Sequence, residues 1–277
     1  MNRDEIAKLI ISSLKNIEYE NLKQRYKDSS TINHLVIDNL LPLNLALELS
    51  SSFPPEKELV FLNKLQEKKY IGVNFSKSQK IVEECLYAFQ DSSVIEAVSF
   101  ITDIKNIMGD PELYAGGISS MSNGCFLNPH IDNSHDRTMD KYRRINLLYY
   151  VNKEFNSVLD GGELILYPKG IKKEEIKLTC DFNRLIIMRT DNKSLHGVNR
   201  INSKINRRKC ISNYYFSKES PSGNNYYHST TFRGFKRQYI KGTLLRINGF
   251  TKTYIKKTIY KLIKKSISTD HHKKNLS

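Results

Sequence analysis

A chain of 277 residues is long enough to bury a substantial hydrophobic core in one large domain or two small ones. Its four cysteines are scattered without a CxxC pair, which argues against a zinc knuckle, a redox motif or a dense disulfide framework and fits a reducing compartment. The charged N-terminus lacks the pattern of a signal peptide, and no run of about 18 apolar residues is present, so we expect a cytoplasmic protein.

The positive charge of the chain is concentrated near its C-terminus. The whole sequence has a formal net charge of +15, but residues 233–277 contain thirteen Lys or Arg against one acid and therefore carry +12 of it. Residues 1–232 carry only +3, so the main body is not expected to present a basic surface to nucleic acid. The basic character belongs to a C-terminal extension, which we place at residues 218–277.

Helices are predicted in the first part of the chain. Apolar residues at helical spacing predict an amphipathic helix over residues 4 to about 24. Three further helices are predicted over residues 42–51, 78–88 and 94–107. Residues 1–110 are therefore expected to hold a helical part together with the first strands of a β domain.

After Pro111 the sequence changes to short apolar runs rich in β-branched and aromatic residues, with turn-forming residues between them. These runs predict strands over residues 113–119, 145–151, 163–167, 185–189 and 210–216. Several short strands at close spacing, preceded by helices, favour a sandwich or barrel of strands with helices packed outside.

A further helix is predicted in the C-terminal extension at residues 250–268. Its apolar residues recur at helical spacing on one side, opposite six lysines. Such a helix could bind an anionic membrane surface or an acidic partner, and it could equally pack its apolar side on the domain. Both interpretations stay open. The apolar residues are Ile255, Ile259, Leu262, Ile263 and Ile267, and the lysines are Lys252, Lys256, Lys257, Lys261, Lys264 and Lys265.

The segment NPHIDNSHD, residues 128–136, offers a metal two histidines and two aspartates. In an extended chain, His130 and Asp132 project to the same side because side chains alternate with period two, so they could share one ion. His135 and Asp136 are adjacent and would point to opposite sides. The H-x-D pattern alone is a weak signal for a metal site.

A site of two histidines and one carboxylate needs a further histidine from elsewhere in the sequence. His196 follows the apolar segment RLIIMR and a turn, which would bring it to the edge of a sheet, whereas His228 lies in a loop. Arg208, twelve residues after His196, begins a strand-like segment in which its guanidinium could bind a second carboxylate beside the metal. Spacing alone does not exclude a solvent-facing arginine, so these assignments stay open.

Five segments resemble, in their order and spacing, the iron(II)- and 2-oxoglutarate-dependent dioxygenases, and in particular the prolyl 4-hydroxylase branch. They are NPHID, RINLLYYVN, DGGELILYP, FNRLIIMRTDNKSLHGV and RKCISNYYF. The resemblance extends over residues 114–216 and is specific for the family but not for a substrate. It implies a double-stranded β-helix, or jelly roll, with residues 111–217 as the catalytic core. The expected fold class is therefore α+β with a mainly β core, N-terminal helices packed outside and a basic C-terminal helix.

The resemblance also implies roles for individual residues. His130, Asp132 and His196 would bind iron(II), and Arg208 and Tyr150 would bind the distal carboxylate of the cosubstrate 2-oxoglutarate. The implied activity is hydroxylation of an unactivated C–H bond with release of succinate and carbon dioxide, with ascorbate as a candidate reductant.

The resemblance leaves the substrate open between a peptide, for example at a prolyl residue, and a small molecule such as a sugar unit. His135 and Asp136 are expected in a loop over the site. This loop and residues 54–74 are where we expect substrate choice to reside, because binding loops vary on a rigid scaffold.

Two other functions compete with this interpretation. One is a non-catalytic jelly-roll binding protein that uses its basic tail for an anionic membrane or nucleic acid. The other is an oxygenase acting on nucleic acid, which ranks lower because the tail's charge is far in sequence from the candidate ligands.

Overall fold

The computed structural model describes residues 1–72, 74–76, 79–114 and 116–274, with side chains described as far as residue 259. Within these residues the chain forms α-helices and antiparallel strands. The helices are α1 (Arg3–Asn16), α2 (Tyr19–Asp28), α3 (Leu43–Ser51), α4 (Lys80–Ala88), α5 (Ser92–Thr102), the short α6 (Ser157–Asp160) and α7 (Tyr239–Lys274). The strands are β1 (His34–Ile37), β2 (Val60–Lys64), β3 (Glu67–Gly72), β4 (Gly117–Met121), β5 (Phe126–Ile131), β6 (Tyr142–Tyr150), β7 (Leu164–Leu166), β8 (Ile176–Leu178), β9 (Arg184–Arg189), β10 (His196–Val198), β11 (Arg208–Ser217) and β12 (Thr231–Phe232).

The strands form one curled sheet in the order β1-β9-β6-β11-β4-β3-β5-β10-β7-β8. Strand β3 joins its two halves, because Glu67 pairs with Leu127 of β5 while Tyr70 pairs with Ser120 of β4. The sheet therefore turns at β3 from a layer built on β6 and β11 to a layer built on β5 and β10. A curled antiparallel sheet with helices packed outside confirms the predicted fold class.

Strand β6 shows how the sequence supplies two hydrophobic cores. Ile145, Leu147 and Tyr149 belong to the large cluster that includes the buried residues of α1, α2, α4 and α5. Leu148 and Tyr150 point the other way and pack in a smaller cluster with residues of β7 and β9. Period-two alternation thus places one face of the strand against the helices and the other in the space between the layers.

The predicted single N-terminal helix is wrong, because the chain forms α1 and α2 instead. Glu18, between them, has a φ of 67°, a left-handed conformation that a residue with a Cβ rarely adopts and that interrupts the helix. Both helices still bury apolar residues in the same cluster, including Ile10 from α1 and Leu22 from α2. The pattern of apolar residues was therefore interpreted correctly, but the break was missed.

The other predicted helices are confirmed with shifted ends. Helix α3 matches residues 42–51, and α4 begins at Lys80, while Ser78 at the predicted start lies outside the described residues. Helix α5 ends before residue 107 because Asp103 has a φ of 56°.

All five predicted strands are present, although β4 begins only at Gly117. Leu113, where we predicted its start, has a φ of 50° and closes a turn through its backbone N–H to the Asp110 carbonyl. The short strands β8, β10 and β12 were not predicted, because runs of two or three residues give little periodic signal. Strands β1, β2 and β3 were expected only as first strands of unspecified position within residues 1–110.

Helix α7 is held on the domain by its N-terminal half. Leu245 is buried, Gly249 lies against Thr231 of β12, and the Thr253 hydroxyl bonds Ser229. This face differs from the predicted apolar face, of which Ile255 and Ile259 are exposed. The other predicted members, Leu262, Ile263 and Ile267 with Lys261, Lys264 and Lys265, lie outside the described side chains. Among the described residues, no helix has the length and apolar character needed to cross a membrane.

Candidate metal centre

Two histidines and one aspartate converge where β5 and β10 pair. His130 lies near the end of β5 directly opposite His196, the first residue of β10, and Asp132 follows β5. One ligand atom from each of the three residues lies within 4.8 Å of the other two. The Nε2 of His130 is 3.4 Å from Asp132 Oδ1, and the Nε2 of His196 is 3.6 Å from Asp132 Oδ2. The structure therefore brings together all three sequence-predicted ligands.

The hydrogen bonds of the two histidines leave one lone pair on each ring facing the cluster. His130 Nδ1 lies 2.9 Å from the Asn128 carbonyl, and His196 Nδ1 lies 2.9 Å from the Ser194 carbonyl. A carbonyl can only accept, so each Nδ1 carries the proton, and each Nε2 is free to bind a metal. Burial, followed by the neighbouring His130, lowers the pKa of His196 to about 4 and so favours the neutral, metal-binding ring.

Asp132 is fixed by two residues of β6 that the sequence analysis missed. Asn146 Nδ2 donates to Asp132 Oδ2 at 2.8 Å, and Arg143 Nη1 lies 3.3 Å from the same oxygen. Although burial acts to raise the pKa of Asp132, the nearby Arg143 cation holds it well below its usual range. Asn146 is oriented in turn by the hydroxyl of Thr190, the residue after β9, which donates to its Oδ1.

A β-bulge explains why Arg143 and Asn146, three residues apart, both reach Asp132. Opposite Tyr215 and Phe216, the register of β6 shifts by one residue and leaves Arg144 as the extra residue. Such a bulge reverses the alternation of side chains along the strand. Period-two reasoning would have placed Arg143 and Asn146 on opposite faces, so the sequence pattern could not reveal this pair.

The donor set fits an iron(II) ion. Two neutral imidazoles and one carboxylate on a single side of an ion leave its remaining coordination positions open, the pattern typical of non-haem iron(II) oxygenases. The backbone carbonyls behind both rings and the Asn146 amide behind Asp132 supply the outer hydrogen bonds that usually orient metal ligands.

Arg208 is a buried cation with no acidic partner among the residues that the structure describes. Its guanidinium donates to the Tyr150 hydroxyl at 2.9 Å, to Cys180 Sγ at 3.3 Å and to Met121 Sδ at 3.7 Å. No acid in the part of the chain that the structure describes forms an ion pair with it. An arginine keeps its charge in proteins, and a buried charge is costly without a counter-ion. This site therefore suits the carboxylate of a small ligand.

Tyr150 is placed to share that carboxylate. Burial raises the pKa of its phenol well above the usual value, so the hydroxyl keeps its proton at neutral pH. Because the hydroxyl oxygen accepts from Arg208, its own proton remains available to an anion. Tyr150 and Asn146 lie four residues apart on the interior side of β6, about 13 Å along the strand. Tyr150 contacts Arg208 and Asn146 contacts Asp132, so the cation and the metal ligands lie near the two ends of this stretch of β6. Cys180, in the loop after β8, is a further contact of Arg208 for which no sequence pattern is a signal.

The remaining sequence candidates lie outside the metal group. His135 is buried with its ring against Tyr142, at a centroid distance of 4.2 Å. The Asp136 carboxylate accepts from the backbone N–H groups of residues 140 and 141 and so caps its own loop. His228 is joined through its backbone to Ser134, and its Nε2 is buried without a hydrogen-bond partner among the described residues. A role of His135 and Asp136 in substrate contact stays a prediction.

A cleft of about 320 Å³ opens over the metal group. Its lining includes His130, Asp132, Arg143, Tyr214 and Phe232, and the ring of Phe232 stacks on that of His130 with centroids 5.1 Å apart. A second groove of about 470 Å³ shares Tyr214 with this cleft and runs along β3 and β4. Residues of the β2–β3 hairpin line the cleft, within the segment 54–74 where we expected substrate choice.

Comparisons with known proteins agree with this geometry. Residues 116–216 match the model of the 2OG-Fe(II) oxygenase superfamily, and no curated protein matches the chain.

Three solved structures share the fold at low identity. A prolyl 4-hydroxylase from Phytophthora capsici is 14% identical with a TM-score of 0.55 and covers 99% of this chain and 88% of its own. One from Pseudomonas putida is 16% identical with a TM-score of 0.53, covering 71% and 98%. The prolyl hydroxylase of Trichoplax adhaerens is 17% identical with a TM-score of 0.51, covering 81% and 94%. Residues 116–216 therefore match the 2OG-Fe(II) oxygenase superfamily, and the fold of the chain is similar to that of prolyl 4-hydroxylases.

Proposed function

We propose that this iron(II)- and 2-oxoglutarate-dependent dioxygenase hydroxylates an unactivated C–H bond in a peptide, with a prolyl residue as the first candidate. One observation supports an enzyme most strongly. The interior of the domain holds both a buried His–Asp–His group and a buried arginine that has no acidic partner among the described residues. Burying an unpaired cation costs free energy, which a protein that serves only as a scaffold has no reason to spend. The comparisons give the non-catalytic alternative no support.

The proposed roles follow the contacts. His130, Asp132 and His196 hold the iron, and Arg208 with Tyr150 binds the distal carboxylate of 2-oxoglutarate. The bound iron would allow dioxygen to act as the oxidant. 2-Oxoglutarate and the substrate would each supply two electrons, so that one oxygen atom enters the succinate formed with carbon dioxide and the other enters the substrate C–H bond. The protein supplies orientation.

Three side chains around the metal group define where the reacting carbon lies. Arg143 and Asn146 keep the Asp132 carboxylate in place from the β6 side. Phe232 covers the His130 ring and limits the approach of water to the ligands from that side. The substrate is therefore presented between Phe232 and Tyr214, at the junction of the cleft with the groove.

An extended substrate fits this surface better than a compact one. The cleft over the metal group and the groove along β3 and β4 share Lys69 and Tyr214, so the two adjoin and together form one longer surface. A peptide in extended conformation could follow it, with its target residue over the metal. The Trichoplax adhaerens prolyl hydroxylase was solved with a peptide fragment of a hypoxia-inducible factor, which supports a peptide as the first choice.

The proposal is tested by oxygen incorporation. The full chain is incubated with iron(II), 2-oxoglutarate and ascorbate under labelled dioxygen, together with a library of proline-containing peptides. We expect succinate formation that rises with peptide and the mass gain of one labelled oxygen atom on the peptide. Succinate without any labelled peptide, but with a labelled sugar or other metabolite, would replace the peptide by a small-molecule substrate.

Three narrower expectations stay predictions. Ascorbate is expected to sustain turnover as a reductant, and a cytoplasmic location is expected from the sequence. Contact of residues 250–268 with an anionic membrane is testable by sedimentation of the full chain with anionic vesicles, and no sedimentation would end that idea.

A further inference from the structure

The mouth of the metal cleft is lined by lysines from two distant parts of the chain. Lys64 of β2 and Lys69 of β3 come from the hairpin, while Lys252 and Lys256 come from α7. The basic C-terminal extension is far from the metal ligands in sequence, but folding brings its first lysines to the rim of the site.

Packing of α7 fixes these lysines in place. The helix lies against β12, whose Phe232 pairs with His130 of β5. At Gly249 an added Cβ would lie 3.4 Å from Thr231, so the helix and strand are in close contact there. One turn further on, Thr253 bonds both the Ser229 hydroxyl at 2.8 Å and the Ser229 backbone N–H at 3.2 Å. Because this register is defined by contacts, positions 252 and 256 are held at the mouth one helical turn apart.

The two lysines of α7 carry charge that the site does not compensate. Among the described lining residues the acids are Glu67 and Asp132. Glu67 lies 3.5 Å from Lys64 and 3.3 Å from Lys69, and Asp132 pairs with Arg143. Within the described part of the chain, neither Lys252 nor Lys256 forms an ion pair. The rim therefore has two cationic positions open to an anionic group that arrives with the substrate.

The charge is confined to one end of the substrate path. The groove along β3 and β4 has only Glu58 and Lys69 as charged residues among its described lining. A nucleic acid strand would need a basic track along its whole backbone, which this groove does not offer. A peptide can carry carboxylates on one side of its target residue only. The distribution of charge thus favours a peptide with an acidic flank.

We propose that the substrate is an acidic peptide whose carboxylates, on one flank of the hydroxylated residue, bind Lys252 and Lys256. This inference rests on the proposed peptide hydroxylase function and names its substrate class. The other flank lies in the largely uncharged groove. The two α7 lysines are thus specificity-determining residues, while the metal and cosubstrate ligands lie beneath them.

The test compares peptide selection by charge-reversed chains. The full-length protein, loaded anaerobically with iron(II) and 2-oxoglutarate, is immobilised and offered a random library of proline-centred peptides. We expect bound peptides to be enriched about fivefold in sequences with two Asp or Glu on one flank, because each of two exposed ion pairs contributes roughly a twofold gain in affinity. The enrichment should vanish at high salt, which screens exposed charges. In the Lys252→Glu, Lys256→Glu double variant, the preference should switch to basic flanks.

Lys257→Glu is the matched control. It makes the same charge change on the same exposed helix, but position 257 does not line the cleft, so acidic peptides should still be selected. Melting curves check that each variant is folded.

Three results would overturn the inference. First, a protein that shows the iron–2-oxoglutarate absorption band could bind acidic and neutral peptides equally well. This result would refute the acidic substrate and leave the proposed oxygenase function standing. Tighter binding of a single-stranded oligonucleotide of the same charge, lost in the double variant, replaces the peptide by nucleic acid. Absence of the band itself removes the proposed function, and this inference with it.

Discussion

Replacing Arg208 by Met should separate ligand binding from stability. Arg208 is only 4% exposed, and its described partners are a tyrosine hydroxyl and two sulfur atoms, with no acidic residue. A buried charge without a counter-ion costs several kcal/mol, and exchange of buried charges for apolar residues of similar volume is neutral or stabilising by about 1–4 kcal/mol. The exchange leaves the buried Tyr150 hydroxyl without its donor, which costs about 1–3 kcal/mol.

The gain and the loss roughly offset each other, so the ligand-free Arg208→Met protein should be destabilised by no more than about 2 kcal/mol relative to the wild type. The affinity for 2-oxoglutarate should fall much further, because truncating one member of a buried charge pair costs about 2–5 kcal/mol, or roughly thirtyfold or more. Urea unfolding without 2-oxoglutarate measures the free energy of unfolding. The increase in that free energy when 2-oxoglutarate is added measures its affinity, because a ligand stabilises only the state that it binds.

Arg207→Met is the control, because Arg207 precedes Arg208 but lines a different surface cavity. It should leave stabilisation by 2-oxoglutarate unchanged. The reasoning would be refuted if Arg208→Met lost more than about 3 kcal/mol of stability, or if it still bound 2-oxoglutarate within a factor of about ten of the wild type.

Three further predictions concern the ligands, their support and the N-terminal helices. His130→Ala or Asp132→Ala should abolish the absorption band of the anaerobic iron–2-oxoglutarate complex, whereas His135→Ala should keep it; loss of the band in His135→Ala would show that the ligand choice is wrong. Asn146→Ala should weaken iron binding about 10- to 100-fold, because Asp132 loses the amide that orients it, and unchanged affinity in a metal titration would contradict that role. Glu18→Gly should raise the free energy of unfolding by about 1 kcal/mol, because glycine adopts a φ of 67° without the Cβ penalty, and a loss of stability in urea would refute this.

The sequence was most informative where a short pattern, such as the alternation of side chains along a strand, determines which residues share one face. Alternation along β5 predicted that His130 and Asp132 share one side, and the resemblance supplied His196 and Arg208 from distant strands. Five strands of the β core, β4, β6, β7, β9 and β11, were recognised because their runs are apolar and bounded by turn residues. The alternation and the bounded apolar runs depend on the chain's own pattern over about ten residues, which sequence reasoning can evaluate.

What the sequence did not reveal depends on tertiary contacts. Arg143 reaches Asp132 through a bulge, and Cys180 reaches Arg208 from a loop 28 residues earlier in the chain. The lysines of α7 reach the cleft only because Gly249 and Thr253, rather than the apolar residues of the predicted face, pack on the domain. No periodicity in the sequence encodes such register.

The most direct test of the central claim is an anaerobic titration of the iron(II)-loaded full chain with 2-oxoglutarate, followed by visible absorption. The proposed ligand set predicts a metal-to-cosubstrate band that saturates at one 2-oxoglutarate per chain and is absent in Asp132→Ala. A wild-type chain that binds iron(II) or 2-oxoglutarate no better than Asp132→Ala would contradict the assignment of this site as an oxygenase centre.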